Sequence, residues 1–304
     1  MTLRRSSALV LLLGLGACAS GGRRGRGPTE LELAPSAYCR VTAAEGLVDW
    51  NGTTATLCPG LVAAETEHDG LGGEGCAVHV VDGSGGLRPT GITGVRAAHA
   101  ALDGRFVVWG WDGRLAIDDG RGGRTEVAPL VLDSWLDAAS GRLVYVAPSG
   151  EGSALEPGDD REVVLYDLVS GARTGLILDA TAAAPVPIPG SPDVLYVSSA
   201  TGVASIVRIG ASALRTLTNE GATAVEQEFV PAYGRQLVFV DCGDRLIFAA
   251  EYESDTIWSL DLTTGEAREL GPGRLPALGD DGSVLATNAT GAECAAHYLE
   301  GRTP

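Results

Sequence analysis

The stretch IWSLDLTTGEAREL, residues Ile257–Leu270, holds the clearest copy of the pattern that decides the fold. An alternating apolar run ends in Asp261, and a second alternating run follows Gly265. Alternation with a period of two residues predicts β-strands, and the short polar link between the runs predicts a hairpin turn. An Asp carboxylate can accept N–H bonds inside such a turn, and Gly can adopt the positive φ that closes it. We therefore expect two strands joined by an Asp…Gly turn.

This Asp…Gly turn recurs along the chain. The other copies are Asp82–Gly86, Asp119–Gly123 and Asp167–Gly171, with weaker ones around Asp49 and Arg208. The turns recur at roughly forty-residue intervals, which is the period of β-propeller blades made of four short strands. The sequence therefore predicts an all-β fold, a six-bladed β-propeller, with seven blades as the alternative. We expect strands near Tyr38–Leu57 to complete the final blade, which begins at Leu275.

The repeat resembles those of the TolB-like, YVTN and quinoprotein-type β-propellers. The phrase LDLTTGE at Leu260–Glu266 is the best match, and the resemblance covers roughly Tyr38–Leu299. The chain lacks the Trp that follows the Gly in quinoprotein repeats, which weakens any pyrroloquinoline quinone interpretation. It also lacks the separate N-terminal α/β domain of TolB itself. The resemblance implies sheets in a ring, with the innermost strands lining a central channel.

The first residues indicate export. Arg4 and Arg5 precede an apolar run that is too short to span a bilayer but suits a signal peptide. The run ends in Leu-Gly-Ala-Cys at residues 15–18, which resembles the lipobox of bacterial lipoproteins. That resemblance implies cleavage before Cys18 and lipid attachment to it; an ordinary secretory signal with a chance Cys is the alternative. Ala19 stands where enteric bacteria use Asp for inner-membrane retention, so we expect an outer-membrane anchor.

These features divide the chain into three parts. We expect a signal peptide at 1–17, the lipidated Cys and a flexible tether at 18–36, and the propeller at 37–304. The net charge of −17 disfavours nucleic-acid binding, because a field of that sign repels phosphates. The 22 basic residues are all Arg, so neither a lysine Schiff base nor a P-loop lysine is present.

Five cysteines follow the lipobox, and export makes disulfides possible. None of them forms a CxxC motif, so a zinc ribbon or a thioredoxin-type site has no support. Their positions favour two pairs, Cys58 with Cys76 and Cys39 with Cys294, and leave Cys242 over. Buried free thiols are the alternative.

Catalytic signatures are scarce. The chain has no Gly-x-Ser-x-Gly elbow and no HExxH, and its four His residues lack metal-type spacing. The single GxGxxG, at residues 70–75, leads into a strand rather than opening a helix, so it does not predict a dinucleotide site. We predict no cofactor. Acidic residues in loops offer oxygen ligands for Ca²⁺, although turn carboxylates that accept backbone N–H bonds are the commoner explanation. The acidic groups are Asp159–Asp160, Asp241 with Asp244, Glu251–Asp255 and Asp280–Asp281.

In a propeller, we expect a binding pocket where the innermost strands line the central channel. By analogy with other propellers, the candidates are His99, Asp103, Trp135, Asp137 and Glu228. Trp109 and Trp111 are two residues apart, so we expect them to share one strand face. Packing between blades is the expected role of this pair, and stacking on a sugar or anchoring a partner is the alternative.

Three functions fit the sequence. The first is a lipid-anchored propeller of the cell envelope that binds or scaffolds another envelope protein, as a monomer held at the membrane by its lipid. The second is a carbohydrate-active or other hydrolase or lyase with a site at the channel mouth. The third is a structural envelope lipoprotein.

Overall fold

A computed structural model gives the fold. The structure describes residues 41, 44–51, 53–58, 75–82, 85–101, 103–149, 160–188, 190–198, 200, 205–210, 214–217, 238–240, 245–250, 256–262, 264, 267–278, 284–287 and 294–296. The predicted signal peptide, Cys18 and the tether lie outside these residues, so they remain predictions.

The described strands form six sheets, taken here in chain order. The first sheet contains β1 (Leu47–Trp50), β2 (Thr54–Leu57), β3 (Ala77–Val81) and β4 (Leu87–Thr93). The second contains β5 (Val95–Ala100), β6 (Phe106–Gly110), β7 (Leu115–Asp118) and β8 (Arg124–Ala128). The third contains β9 (Asp133–Asp137), β10 (Arg142–Pro148), β11 (Arg161–Asp167) and β12 (Arg173–Leu178).

The other three sheets follow the same plan. The fourth contains β13 (Ala183–Pro187), β14 (Val194–Ser198), β15 (Ser205–Ile209) and β16 (Leu214–Leu217). The fifth contains β17 (Val238–Val240), β18 (Arg245–Ala250), β19 (Thr256–Asp261) and β20 (Ala267–Pro272). The sixth contains the three described strands β21 (Arg274–Leu278), β22 (Val284–Thr287) and β23 (Cys294–Ala296).

Every sheet is an antiparallel meander, since each strand pairs with the next one along the chain. The prediction of an all-β fold built from short four-stranded sheets is confirmed. The expectation for the chain's start is wrong: β1 and β2 pair with β3 in the first sheet instead of completing the last one. The physical reason is that β3 follows β2 along the chain and pairs with it directly as an antiparallel strand.

The recurring turn joins the third strand to the fourth. In the first two sheets, the N–H of Asp82 donates to Gly86 at 3.0 Å, and that of Asp119 donates to Gly123 at 2.9 Å. Each Gly N–H donates in return to the Asp Oδ1, at 2.8 and 2.9 Å. A Cβ added to Gly86 would lie 2.5 Å from Asp82 Oδ2, and one added to Gly123 would lie 2.6 Å from Asp119 Oδ2. These two glycines leave room for the Asp carboxylates, and neither adopts the positive φ that we expected.

The later copies of the turn use the same carboxylate. Asp167 Oδ1 accepts the N–H of Ser170 at 2.6 Å, and Asp261 Oδ1 accepts that of Thr264 at 2.8 Å. Gly171 has a φ of +71°, as expected for a turn-closing glycine. The weak copy around Arg208 is also a hairpin, from β15 to β16.

The copy around Asp49 is a different turn. It lies between the first and second strands of its sheet, and Asn51 organises it. Asn51 Oδ1 accepts the backbone N–H groups of Thr53 at 3.2 Å and Thr54 at 3.0 Å. Asn can form the same side-chain turn as Asp, so the sequence pattern did not distinguish the two positions.

The core lies between the faces of successive sheets. On β10, Leu143 and Tyr145 pack toward the second sheet, whereas Val144 and Val146 pack toward the fourth. All four side chains are fully buried, because alternate residues of a strand point to opposite faces and both faces are covered. A separate cluster that includes Val78 closes the first sheet on the second. Each large buried side chain contributes roughly 1.5–3 kcal/mol.

The two tryptophans have different positions. Trp109 lies on β6 in the core between the second and third sheets, and its Nε1 donates to Val131 O at 3.2 Å. The guanidinium of Arg96 lies 4.7 Å from the Trp109 ring centroid. Because β6 ends at Gly110, Trp111 lies in the following turn and does not share the strand face. Trp109 therefore packs between sheets, as expected. The prediction that Trp109 and Trp111 share one strand face is wrong.

A disulfide joins Cys58 to Cys76, with an S–S distance of 2.04 Å. It links the end of β2 to the start of β3. Cys39 and Cys242 lie outside the described residues, so the pairing of Cys39 with Cys294 stays a prediction. Among the residues with described positions, no helix is long and apolar enough to cross a membrane.

Candidate functional site

The meander order gives every sheet two distinct ends. The turns between first and second strands and between third and fourth strands lie together, at what we call the turn end. The links from one sheet to the next lie at the opposite end, which we call the connection end. The Asp turns, and with them Asp103 and Asp137, belong to the turn end.

Two predicted pocket residues touch each other across a sheet boundary. His99 lies near the end of β5, and Trp135 lies in the middle of β9. Their ring centroids are 5.2 Å apart, and the ring planes are inclined by 66° in an edge-to-face contact. His99 is only 9% exposed, while Trp135 is half-buried. The first strands of the second and third sheets therefore approach each other here.

A third residue, Asn51 of the first sheet, contacts the His99 ring. Its Oδ1 accepts from its own turn. Its Nδ2 lies 2.6 Å from Ala98 O, 2.8 Å from Thr54 Oγ1 and 3.2 Å from His99 Nδ1. Asn51, His99 and Trp135 form what we call the inner cluster.

Asp103 is engaged by its own turn. Its Oδ1 accepts the backbone N–H of Arg105 at 3.1 Å, and its Oδ2 forms an ion pair with the Arg105 guanidinium at 2.6 Å. The side-chain hydrogen bond from Arg105 is the main cause that holds the pKa of Asp103 below its usual value. Arg105 also donates to Leu168 O at 3.0 Å in the third sheet. Asp103 thus stabilises a turn and, through Arg105, a contact between sheets.

Asp137 is likewise a turn residue. Its Oδ1 accepts the N–H of Ala139 at 3.1 Å, and its Oδ2 accepts the hydroxyl of Ser140. The turn closes with the N–H of Gly141 donating to Asp137 O at 2.9 Å. Its carboxylate is directed at its own backbone.

Most of the remaining candidates for a pocket or a Ca²⁺ site lie outside the described residues. Glu228 lies outside the described residues, as do all the acidic pairs considered for Ca²⁺ except Asp160. Within the described ranges, no group of three or more His, Cys, Asp or Glu side chains is placed to hold a metal ion.

The structure reveals a polar group at the connection end that the sequence analysis missed. Asp179 follows β12, and its Oδ1 accepts the N–H and the hydroxyl of Thr181, each at 2.8 Å. Its Oδ2 accepts the Tyr196 hydroxyl at 3.2 Å, and Thr181 Oγ1 lies 3.4 Å from Ser198 Oγ. The group ties the link between the third and fourth sheets to the end of β14.

Hydrogen bonding keeps this carboxylate ionised. Burial raises the pKa of Asp179, but the hydrogen bonds from Ser198, Thr181 and Tyr196 outweigh it, so the pKa lies below its usual value. Burial and the charge of Asp179 together raise the pKa of Tyr196. The Asp-x-Thr spacing after a strand was the available signal, since it is typical of a side-chain-capped turn. It does not predict the Tyr196 contact, which depends on how the strands pair.

Solved structures have a similar fold. The chain is similar to TolB from Acinetobacter baumannii, with a TM-score of 0.51 and 14% identity over 76% of this chain and 61% of that one. It is also similar to an oligogalacturonate lyase in complex with manganese, with a TM-score of 0.50 and 11% identity over 70% of this chain and 64% of that one. The chain therefore spans less than two thirds of the length of either protein. No protein-family model and no curated protein matches it.

Likeness at this level of identity concerns the fold alone. The described sheets are four-stranded meanders, apart from the three described strands of the sixth, and the first strands of the second and third sheets meet at the inner cluster. The chain has a TolB-like β-propeller fold.

Proposed function

We propose that this protein is a lipid-anchored, six-bladed β-propeller of the cell envelope that binds another envelope protein at its turn end. The six described sheets support the blade count over seven. The lipobox-like residues 15–18 support the anchor, and the tether at 18–36 gives the propeller reach from the membrane.

The Cys58–Cys76 disulfide supports export. Disulfides persist in oxidising compartments and are rare in the cytosol. This pair bridges strands of one sheet and is buried, with each Cys 1% exposed. A buried structural disulfide agrees with a protein that matures outside the cytoplasm.

The observation that carries the choice of binding over catalysis is the state of Asp103 and Asp137. Proton transfer in glycoside cleavage needs carboxyl groups that face a substrate. Both of these carboxylates instead accept hydrogen bonds from their own turns. These hydrogen bonds make them part of the structure of the turn end.

The anchor is tested by metabolic labelling with an alkyne fatty acid in the producing bacterium. We expect the wild-type chain to carry the label and to fractionate with the outer membrane, and the Cys18→Ala variant to lose both properties. Equal labelling of the two chains would contradict the lipobox interpretation.

The binding end is tested by photo-crosslinking in intact cells. Val169, at the turn end, is 85% exposed, and Leu178, at the connection end, is 60% exposed, so a photoreactive residue at either position leaves the core intact. We expect a reproducible cross-link to a single envelope protein from position 169 and none from position 178. Cross-linking from 178 alone would place the partner at the wrong end.

A hydrolase or lyase is the second candidate, and the oriented His99 favours it. A ring fixed by a hydrogen bond on Nδ1 is a common feature of catalytic His residues. Turnover of acidic or neutral oligosaccharides by the purified propeller, abolished in His99→Gln, would favour this candidate over binding.

A further inference from the structure

A groove opens at the turn end between the first and second sheets. Its cavity volume is about 430 Å³. The first sheet contributes residues of β3 and β4, and the second contributes β6 and two turns. The lining residues are Val80, Arg88, Pro89, Thr90, Asp103, Gly104, Phe106, Asp119, Gly120 and Arg121.

Two arginines in this groove form no described ion pair, a property that they share with the exposed Arg268 of β20. Five arginines of the described chain form ion pairs with carboxylates, namely Arg105, Arg114, Arg124, Arg173 and Arg208. Two more, Arg142 and Arg161, donate to backbone carbonyls. Across the described ranges, neither Arg88 nor Arg121 forms an ion pair or a side-chain hydrogen bond. Both are exposed and both line the same groove.

The two carboxylates in the groove are already engaged. Asp103 is paired with Arg105, and Asp119 Oδ1 accepts the backbone N–H groups of Arg121 at 2.8 Å and Gly123 at 2.9 Å. The backbone bond from Arg121 is the main cause that lowers the pKa of Asp119. The groove therefore presents two guanidinium groups that form no described ion pair, in a chain whose net charge is −17. The charge of Arg121 also contributes to the lowered pKa of Asp119. Guanidinium forks match carboxylates in geometry and charge.

The shape of the groove favours a peptide over a small molecule. Pockets for small ligands enclose most of the ligand surface and are mainly apolar. Here Arg88, Pro89, Asp103 and Arg121 are exposed, and Phe106 is the half-buried aromatic side chain of the lining. An open, polar groove with one aromatic contact suits an extended segment that alternates acidic and apolar side chains.

We propose that this groove binds an acidic segment of the protein partner, with its carboxylates on Arg88 and Arg121 and an apolar side chain against Phe106. The inference rests on the proposed binding function and names the chemistry of the partner. Repulsion by the acidic chain is short-ranged at physiological salt, because the Debye length is about 8 Å, so local contacts decide the binding.

The test is fluorescence anisotropy of a short labelled peptide that alternates Glu and Leu, added to the purified propeller. A peptide with Gln in place of Glu is the neutral probe. We expect the acidic peptide to bind and the neutral one to bind about tenfold more weakly, because Gln removes the negative charges that face the two guanidinium groups. Added sodium chloride should weaken binding further.

The variants Arg88→Gln and Arg121→Gln should each reduce the affinity about tenfold. Arg114→Gln is the matched control, because Arg114 is 64% exposed, pairs with Asp112 and lies at the connection end. It should bind like the wild type. The proposal would be overturned if the wild type did not bind the acidic peptide, or if the double variant Arg88→Gln/Arg121→Gln bound it as tightly as the wild type. It would also be overturned if inorganic phosphate displaced the peptide more effectively than chloride at equal ionic strength.

Failure of this inference is distinguishable from failure of the proposed function. If the cross-link from position 169 persists in the double variant, the turn end binds its partner without these arginines, and only the groove is wrong. If that cross-link is absent from the wild type in cells, the binding function itself is wrong.

Discussion

At the scale of single residues, turn carboxylates connect the sequence pattern to stability. Asp167 Oδ1 accepts the N–H of Val169 at 3.0 Å and both the N–H and the hydroxyl of Ser170, at 2.6 and 2.8 Å. The backbone bond from Ser170 is the main cause that holds the pKa of Asp167 below its usual value. Asp119 shows the same direction for the same reason. A folded-state pKa below the unfolded one gives stability that is present above the unfolded pKa, about 3.9, and is lost as pH falls through the folded pKa.

The double variant Asp119→Asn/Asp167→Asn should therefore show a flatter loss of stability below about pH 4 than the wild type. The amide keeps an acceptor oxygen but carries no charge, so the variant should be less stable than the wild type at pH 7 and should approach it at acidic pH. The double Ala variant, which has no acceptor, should be less stable at both pH values. Urea midpoints between neutral and acidic pH measure this, and parallel curves for wild type and the Asn variant would refute the explanation.

At the scale of strands and turns, alternation and the Asp turns were enough to predict the sheets. Both signals are local, because strand alternation and Asp-capped turns depend on residues close in sequence. The Asn51–His99–Trp135 contacts were not predictable, since they join three sheets. The pocket role expected for Asp103 and Asp137 stays a prediction, although their hydrogen bonds serve their turns. The local sequence does not distinguish an Asp that stabilises a turn from an Asp that lines a pocket.

Leu143 of β10 offers a direct test of packing between sheets. It is fully buried in the cluster between the second and third sheets, so Leu143→Ala leaves a cavity. We expect a loss of about 2–5 kcal/mol in the free energy of unfolding. Leu178→Ala, at a site 60% exposed, should change it by less than about 0.5 kcal/mol. Similar urea midpoints for the two variants would mean that this core is absent.

The disulfide between β2 and β3 should stabilise the first sheet. Its cysteines are separated by 18 residues, and a loop of this length corresponds to roughly 3 kcal/mol. The variant Cys58→Ser/Cys76→Ser should therefore unfold at lower urea concentration than the wild type. Non-reducing peptide mapping should recover one linked fragment that contains both residues. Two separate fragments from the oxidised, exported protein would contradict the assignment.

At the scale of the whole molecule, neighbouring sheets are joined by apolar cores and by polar contacts at their ends. Arg105 donates to the turn of the third sheet, and Arg208 Nη1 donates to Leu262 O of the fifth sheet at 3.4 Å. The first strand of the sixth sheet, β21, lies against the fifth. The described contacts thus run from the first sheet to the sixth without a break. Packing of the last sheet against the first would cover the outer faces of both sheets and close the ring.

A crystal structure of residues 37–304 would show how the first and sixth sheets are related. We expect six sheets around one axis, with the sixth packed against the first and the Arg88–Arg121 groove open at the turn end. A seventh sheet, or a gap between the first and sixth sheets, would contradict the six-bladed ring.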